Sequence, residues 1–148
     1  MAVQLLIEKL PHFLGELPAY QTQGSSGMDI RAAIKEPLTL APGERRLVPT
    51  GLKMAVPEGY EIQVRPRSGL ALKSGITMLN TPGTIDSDYR GEVGVIMINL
   101  SHERFVVEPN DRVAQIVVCP VVRAEIKCVD QIEDTSRSSG GFGSTGRK

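Results

Sequence analysis

Short runs of alternating apolar and polar residues recur along this chain, each closed by a proline or glycine turn. That rhythm, more than any single residue, restricts what the chain can become. Val3 to Leu10 mixes apolar and polar positions as a first strand does. Gln21 to Gly27 is a polar Gly/Ser loop that delivers Met28-Asp29-Ile30-Arg31-Ala32. Pro42-Gly43 turns the chain into Arg45 to Pro49, and Gly51 to Val56 follows. Pro57-Glu58-Gly59 turns it again into Tyr60 to Arg65, and Glu92 to Asn99 (EVGVIMIN) is the richest strand run. Pro109-Asn110-Asp111 precedes Val113 to Val122. Strands at this spacing predict an all-β domain, a jelly-roll-like β-sandwich or barrel.

Only Pro66 to Lys73 reads as helical, with Ser68 as N-cap, helix formers after it and Gly75 as the stop. Such a short helix must be held by packing. Its free N–H groups, the Ser68 hydroxyl and the Arg67 guanidinium favour a phosphate. An ordinary connector helix has the same sequence pattern.

Thr81 to Glu92 stands apart from the other turns. It opens on Pro82-Gly83 and closes on Arg90-Gly91, so a hairpin here holds Asp86, Asp88 and Tyr89 on a supported loop. A simple turn needs neither two carboxylates nor an aromatic ring, although an acidic surface turn with Tyr89 at its base fits too. The chain has no Trp, three Phe and three Tyr, so a ring in a Gly-rich loop is rarely filler.

From Asp134 the chain changes character, running DTSRSSGGFGSTGRK with Phe142 its only large apolar group. This segment cannot bury enough apolar surface to fold by itself, which predicts a disordered tail. Arg137, the glycines and Ser144-Thr145 are equally the parts of a phosphate-cradling loop. It is no Walker A loop, since no Lys precedes Ser144-Thr145. The expected domains are therefore residues 1–133, a β domain, and 134–148, a tail that closes over a site.

A length of 148 residues suits one domain with a substantial core. Basic and acidic residues balance at 17 each, so no overall field draws nucleic acid or membrane, and no run is apolar enough to span a bilayer. Met1 to Pro11 does not read as a secretory signal, which predicts a cytoplasmic protein. Cys119 and Cys128, in strand-like runs, read as reduced core thiols. His12 and His102 lie far apart without metal-ligand spacing, and no Gly-x-Ser-x-Gly elbow supports a serine triad. Phosphate chemistry with an Asp base survives these exclusions.

Five motifs occur in order: Gly27-Met28-Asp29-Ile30-Arg31-Ala32, Pro66-Arg67-Ser68-Gly69-Leu70-Ala71, Gly83 to Gly91, Asp111-Arg112-Val113-Ala114-Gln115-Ile116, and Arg137 to Gly146. In order and spacing this resembles the trimeric deoxyuridine triphosphate nucleotidohydrolases (dUTPases), from about Gln21 to the C-terminus. Met28 departs from the Tyr that many members carry. The second motif is also similar to the dCTP deaminases, but the Gly-rich tail with its Phe resembles the hydrolase branch.

The resemblance implies hydrolysis of dUTP to dUMP and pyrophosphate by water attack on the α-phosphate. That reaction lowers dUTP and supplies dUMP for dTTP synthesis. Asp86 matches the general base. Asp29 matches the carboxylate that holds Mg²⁺ through its water shell. Arg67, Ser68 and Gln115 match phosphate contacts, and Gly69 permits close backbone approach. Backbone groups of Leu79 to Ile85, including Gly83, Thr84 and Ile85, together with Asn80, match the readers of uracil. Tyr89 is expected beneath the deoxyribose and Phe142 stacked on uracil. Arg137, Gly143, Ser144 and Thr145 are expected near the terminal phosphates, and Asp88 is expected to be structural. A homotrimer with each site shared between chains is implied. Two alternatives remain: a deaminase of the same fold, and a nucleotide-binding protein without turnover.

Overall fold

The computed structural model describes residues 3–147, so the expected domain limits at Met1 and Lys148 lie outside the described residues. The strands are β1 (Leu6–Lys9), β2 (Met28–Arg31), β3 (Leu38–Leu40), β4 (Arg45–Ala55) and β5 (Tyr60–Arg65). They continue as β6 (Ile76–Met78), β7 (Gly83–Ile85), β8 (Glu92–Asn99), β9 (Phe105–Val107) and β10 (Arg112–Pro120), with one helix, α1 (Ser68–Ser74). Two four-stranded sheets, ordered β1-β4-β8-β6 and β2-β10-β5-β7, form the body, and β3-β9 forms a small third sheet. The described pairings are antiparallel. The all-β jelly-roll-like expectation with one short helix holds.

The period-two pattern sets which face of each strand is buried. On β8, Val93, Val95 and Met97 point inward and are almost fully buried, while Gly94, Ile96 and Ile98 face out. On β5, Ile62 and Val64 face the same core. On β2, Met28 and Ile30 point inward, which turns Asp29 and Arg31 outward. Each fully buried Ile or Leu contributes roughly 1.5–3 kcal/mol through apolar surface removed from water. Asn99, the buried polar residue at the end of β8, is satisfied: its amide donates to the Leu40 and Glu103 carbonyls at 2.9 and 2.7 Å.

Several local expectations are corrected. The expected runs Arg45 to Pro49 and Gly51 to Val56 fall in one strand, β4, which ends at Ala55 and is bent by a bulge between Pro49 and Lys53. Gly51 sits in that bulge at φ 68°, and a β-carbon there would lie 2.6 Å from the Phe13 Cα of the N-terminal segment passing over it. Ser68 is not the N-cap: Arg67 occupies that place with extended φ and ψ of −96° and 131°, and no side chain caps α1. Ser68 is the first helical residue, which leaves its hydroxyl outside the capping role. The stop is as expected, with Gly75 in the left-handed region at φ 63°.

Thr81 to Glu92 does not form a hairpin between adjacent strands. β6 and β8 belong to one sheet, and β7 belongs to the other. The chain therefore crosses from one sheet to the other at residues 79–82 and crosses back at 86–91. Cys128 is also corrected: it is exposed and outside any strand, while Cys119 is half-buried on β10, and both are free. The alternation around Cys128 finds no partner strand within one chain.

Candidate active site

Three adjacent strands bring distant motifs into one row. Gln115 on β10 lies opposite Asp29 on β2 on one side and Arg65 on β5 on the other. These positions point out of the sheet because their neighbours Ile30, Ile116 and Val64 point in. Just beyond Arg65 the chain turns through Pro66 into α1, so Arg67, Ser68 and Gly69 stand beside the row.

Side-chain bonds fix this cluster. Arg67 Nε donates to Asp29 Oδ1 at 3.0 Å, and Arg112 Nη1 approaches Asp29 Oδ2 at 3.4 Å. Arg67 Nη1 also donates to the Arg112 carbonyl at 3.3 Å. Gln115 Nε2 donates to the Pro66 carbonyl at 3.0 Å, which ties β10 to the start of the helix. Gly27 lies beneath Gln115, where a β-carbon would collide with Gln115 Oε1. Two guanidiniums around one carboxylate leave a net positive centre beside the exposed Ser68 and Gly69, a chemistry suited to an oligophosphate.

The second group of residues is built on β7 and the crossing after it. β7 pairs with β5 through Ile62–Ile85, Gln63–Thr84 and Val64–Gly83. Gly83 and Ile85 are buried, while Thr84 and Asp86 are exposed. Asn80 folds back over Gly83, its Nδ2 3.1 Å from where a β-carbon would stand. Past Ile85 the turn closes by Tyr89 N–H donating to the Asp86 carbonyl at 3.2 Å. Arg90 Nη1 donates to the carbonyls of Ser87 and Tyr89 at 2.7 and 2.9 Å, bracing the turn from outside. The Tyr89 ring lies across Gly91, and its hydroxyl donates to the Glu92 carbonyl at 2.9 Å. Asp86, Ser87 and Asp88 line one open groove with Glu58, Tyr60 and Arg123.

Asp86 does not meet the phosphate cluster in one chain. Asp86 follows the Ile62–Ile85 pair, whereas Gln115 stands level with Arg65 at the other end of β5. That is about four residues along a strand, roughly 13 Å. No single phosphate can touch both. The tail residues are not brought to either group: Phe142 is fully exposed. Hydrogen bonds described for the tail stay inside it, such as Arg137 Nε to the Gly140 carbonyl at 2.8 Å.

Arg112 and Gly27 belong to the cluster, although the sequence signalled them only as members of a motif. Among the described residues, no group of three or more His, Cys, Asp or Glu side chains is placed to hold a metal ion.

A family model described as dUTPase matches residues 15–146. The deoxyuridine 5'-triphosphate nucleotidohydrolase of Fusobacterium nucleatum is 61% identical over 132 residues, covering 89% of this chain and 90% of that protein. The enzyme of the same name from Bdellovibrio bacteriovorus is 56% identical over 141 residues, covering 95% of each. Among solved structures, the dUTPase of Staphylococcus bacteriophage 80alpha with dUPNHPP superposes with a TM-score of 0.83 at 25% identity. That likeness covers 97% of this chain and 99% of that one.

Proposed function

This chain belongs to the dUTPase family, and on that premise we propose that it hydrolyses dUTP to dUMP and pyrophosphate by water attack on the α-phosphate. It is a dUTP diphosphatase, an enzyme that lowers dUTP and supplies dUMP for dTTP synthesis. The observation that carries the activity is the family match over residues 15–146.

Asp86 is the general base. Its carboxylate stands exposed on a turn whose backbone is fixed by Tyr89 and Arg90, so it can meet a water from solvent without a large rearrangement. Accepting a proton from that water contributes about 10²–10⁴-fold. Positioning and charge neutralisation supply more of the acceleration, as in phosphoryl transfer generally. Arg67, Ser68 and Gln115 bind phosphate oxygens, and Gly69 lets the backbone come close. The tie from Gln115 to Pro66 supports this role, because it fixes the carboxamide at the entrance of α1.

Mg²⁺ fits the site as an ion borne by the triphosphate. Mg²⁺ keeps most of its waters and is carried mainly by phosphate oxygens. Asp29 is oriented by Arg67 and Arg112, and its oxygens keep spare lone pairs for the waters of such an ion. When bound, Mg²⁺ neutralises charge on the phosphates.

Backbone groups of Leu79 to Ile85, among them Gly83, Thr84 and Ile85, read the uracil edge with Asn80. A donor aimed at the O4 position faces the amino group of cytosine with a mismatch, costing about 1–3 kcal/mol. Tyr89 lies beneath the deoxyribose. Phe142 stacks on uracil when the tail closes, and Arg137, Gly143, Ser144 and Thr145 reach the terminal phosphates. The split into a β domain to residue 133 and a closing tail from 134 is part of this reading, as is action in the cytoplasm, with which two free cysteines agree.

The enzyme works as a homotrimer whose sites are shared between chains. The separation of Asp86 from the phosphate cluster supports this, since a second chain can bring to one phosphate what the first holds apart. Exposed apolar residues support it as well. Val122, Ile126 and Ile132 are 95%, 93% and 82% exposed, and Leu47 on β4 is 68% exposed. An isolated monomer would leave these side chains in water.

Pyrophosphate release from dUTP, dCTP, dTTP and UTP, with and without Mg²⁺, tests the reading. Release from dUTP alone, and only with the metal, is expected. Ammonia from dCTP would assign the chain to the deaminases instead, and tight binding without release would make it a nucleotide-binding protein.

A further inference from the structure

Glu92, the first residue of β8, is held at both its ends. The bulge in β4 leaves the Gly51 N–H outside the β4–β8 ladder, and Glu92 Oε1 accepts it at 2.8 Å. The same oxygen lies 2.6 Å from His12 Nε2, 80 positions earlier in the chain. The segment bearing His12 is itself anchored on the bulge, since Leu10 N–H donates to the Gly51 carbonyl at 2.8 Å and Phe13 N–H to the Leu10 carbonyl at 2.9 Å. His12 and Glu92 side chains are each about one-third exposed, at 34% and 31%. At the backbone end, the Glu92 carbonyl receives the Tyr89 hydroxyl at 2.9 Å, with the Tyr89 ring resting on Gly91.

We propose that Glu92, gripped by Gly51 and His12, is a positioning residue that fixes the Tyr89 ring and so sets discrimination between deoxyribose and ribose. The proposal rests on the reading of Tyr89 as the platform beneath the sugar. A steric test for a 2′-hydroxyl works only if the ring cannot yield, which requires its placement to be held to about half an ångström. Tyr89 is 44% exposed, so surrounding packing alone does not immobilise it. Its position depends on the Glu92 carbonyl, and Glu92, the end residue of β8, is held by its pairing with Lys53 and by the side-chain bonds to Gly51 and His12. The carboxylate is turned to Gly51 and His12, so it acts through Tyr89.

The test compares kcat/KM for dUTP and for UTP in wild type, Glu92→Ala, Glu92→Gln and His12→Ala. Glu92→Ala is expected to lower the dUTP:UTP ratio by about tenfold. Glu92→Gln keeps an oxygen acceptor for Gly51 and is expected to stay within about threefold of wild type. His12→Ala should fall between them. Equal losses on both substrates in Glu92→Ala, leaving the ratio unchanged, would reduce Glu92 to a structural role and overturn the proposal. If Glu92→Ala does not fold, His12→Ala decides, and a ratio indistinguishable from wild type overturns it. A wild type that hydrolyses UTP as readily as dUTP overturns the reading of Tyr89 and the positioning role together. A wild type that discriminates, with variants that discriminate equally well, overturns the positioning role alone.

Discussion

Gly27 lies so close beneath Gln115 that a β-carbon at position 27 would occupy the space of Gln115 Oε1. The glycine is there to let the carboxamide lie flat and donate to the Pro66 carbonyl. Gly27→Ala should therefore push the Gln115 tip aside and break that bond. The tip is flexible, so the fold should survive with a loss of about 1 kcal/mol. KM for dUTP should rise roughly tenfold with a smaller change in kcat, since the displaced group binds phosphate. Steady-state kinetics with a urea melt check both numbers.

Asp29 joins two arginines that come from different motifs. Asp29→Asn should weaken both ion pairs. Because all three side chains are partly exposed, the stability cost should be only about 1 kcal/mol. The larger effect should appear in the metal requirement, with half-maximal Mg²⁺ concentration rising several-fold, about 1 kcal/mol of lost outer-shell bonding. A Mg²⁺ titration of activity at saturating dUTP checks it. An unchanged titration would separate Asp29 from the metal and leave it a structural anchor for Arg67.

The tail gives the cleanest separation of stability from activity. Chain ending after Thr135 removes residues whose described hydrogen bonds are internal to the tail and none that packs in the core. The thermal midpoint without ligand should move by no more than about 2 °C, while turnover should fall by at least about a hundredfold. Calorimetry and a pyrophosphate assay on the same sample check both.

Much of the fold was legible because alternation survives in the sequence wherever one face of a strand is buried. β5 and β8 follow that rule residue by residue. Alternation reports the face but not the neighbour, so nothing in Thr81 to Glu92 revealed that β7 pairs with β5 in the opposite sheet from β8. β3 and β9 are three residues each, too short to show a period. The strand-like run that carries Cys128 misled for another reason: within one chain it has no partner. For the site, the motif residues were legible as a set, and Asp29, Arg67 and Gln115 do come together. The contacts of Asp29 with Arg112 and of His12 with Glu92 span 83 and 80 positions, and only the register of the sheets brings them into reach.

The central claim is that one chain cannot complete a site. Asp86→Asn with an intact tail, and the tail-truncated chain with Asp86 present, should each be nearly inactive alone. Refolded together in equal amounts, with co-purification through a tag on one variant proving that chains have mixed, they should regain about a quarter of wild-type activity. That fraction follows if the Asp86 loop and the tail of each site come from different chains, because each must independently be the sound one. Verified mixed assemblies that stay inactive would mean that loop and tail belong to the same chain, and would contradict a site that draws its loop and its tail from different chains.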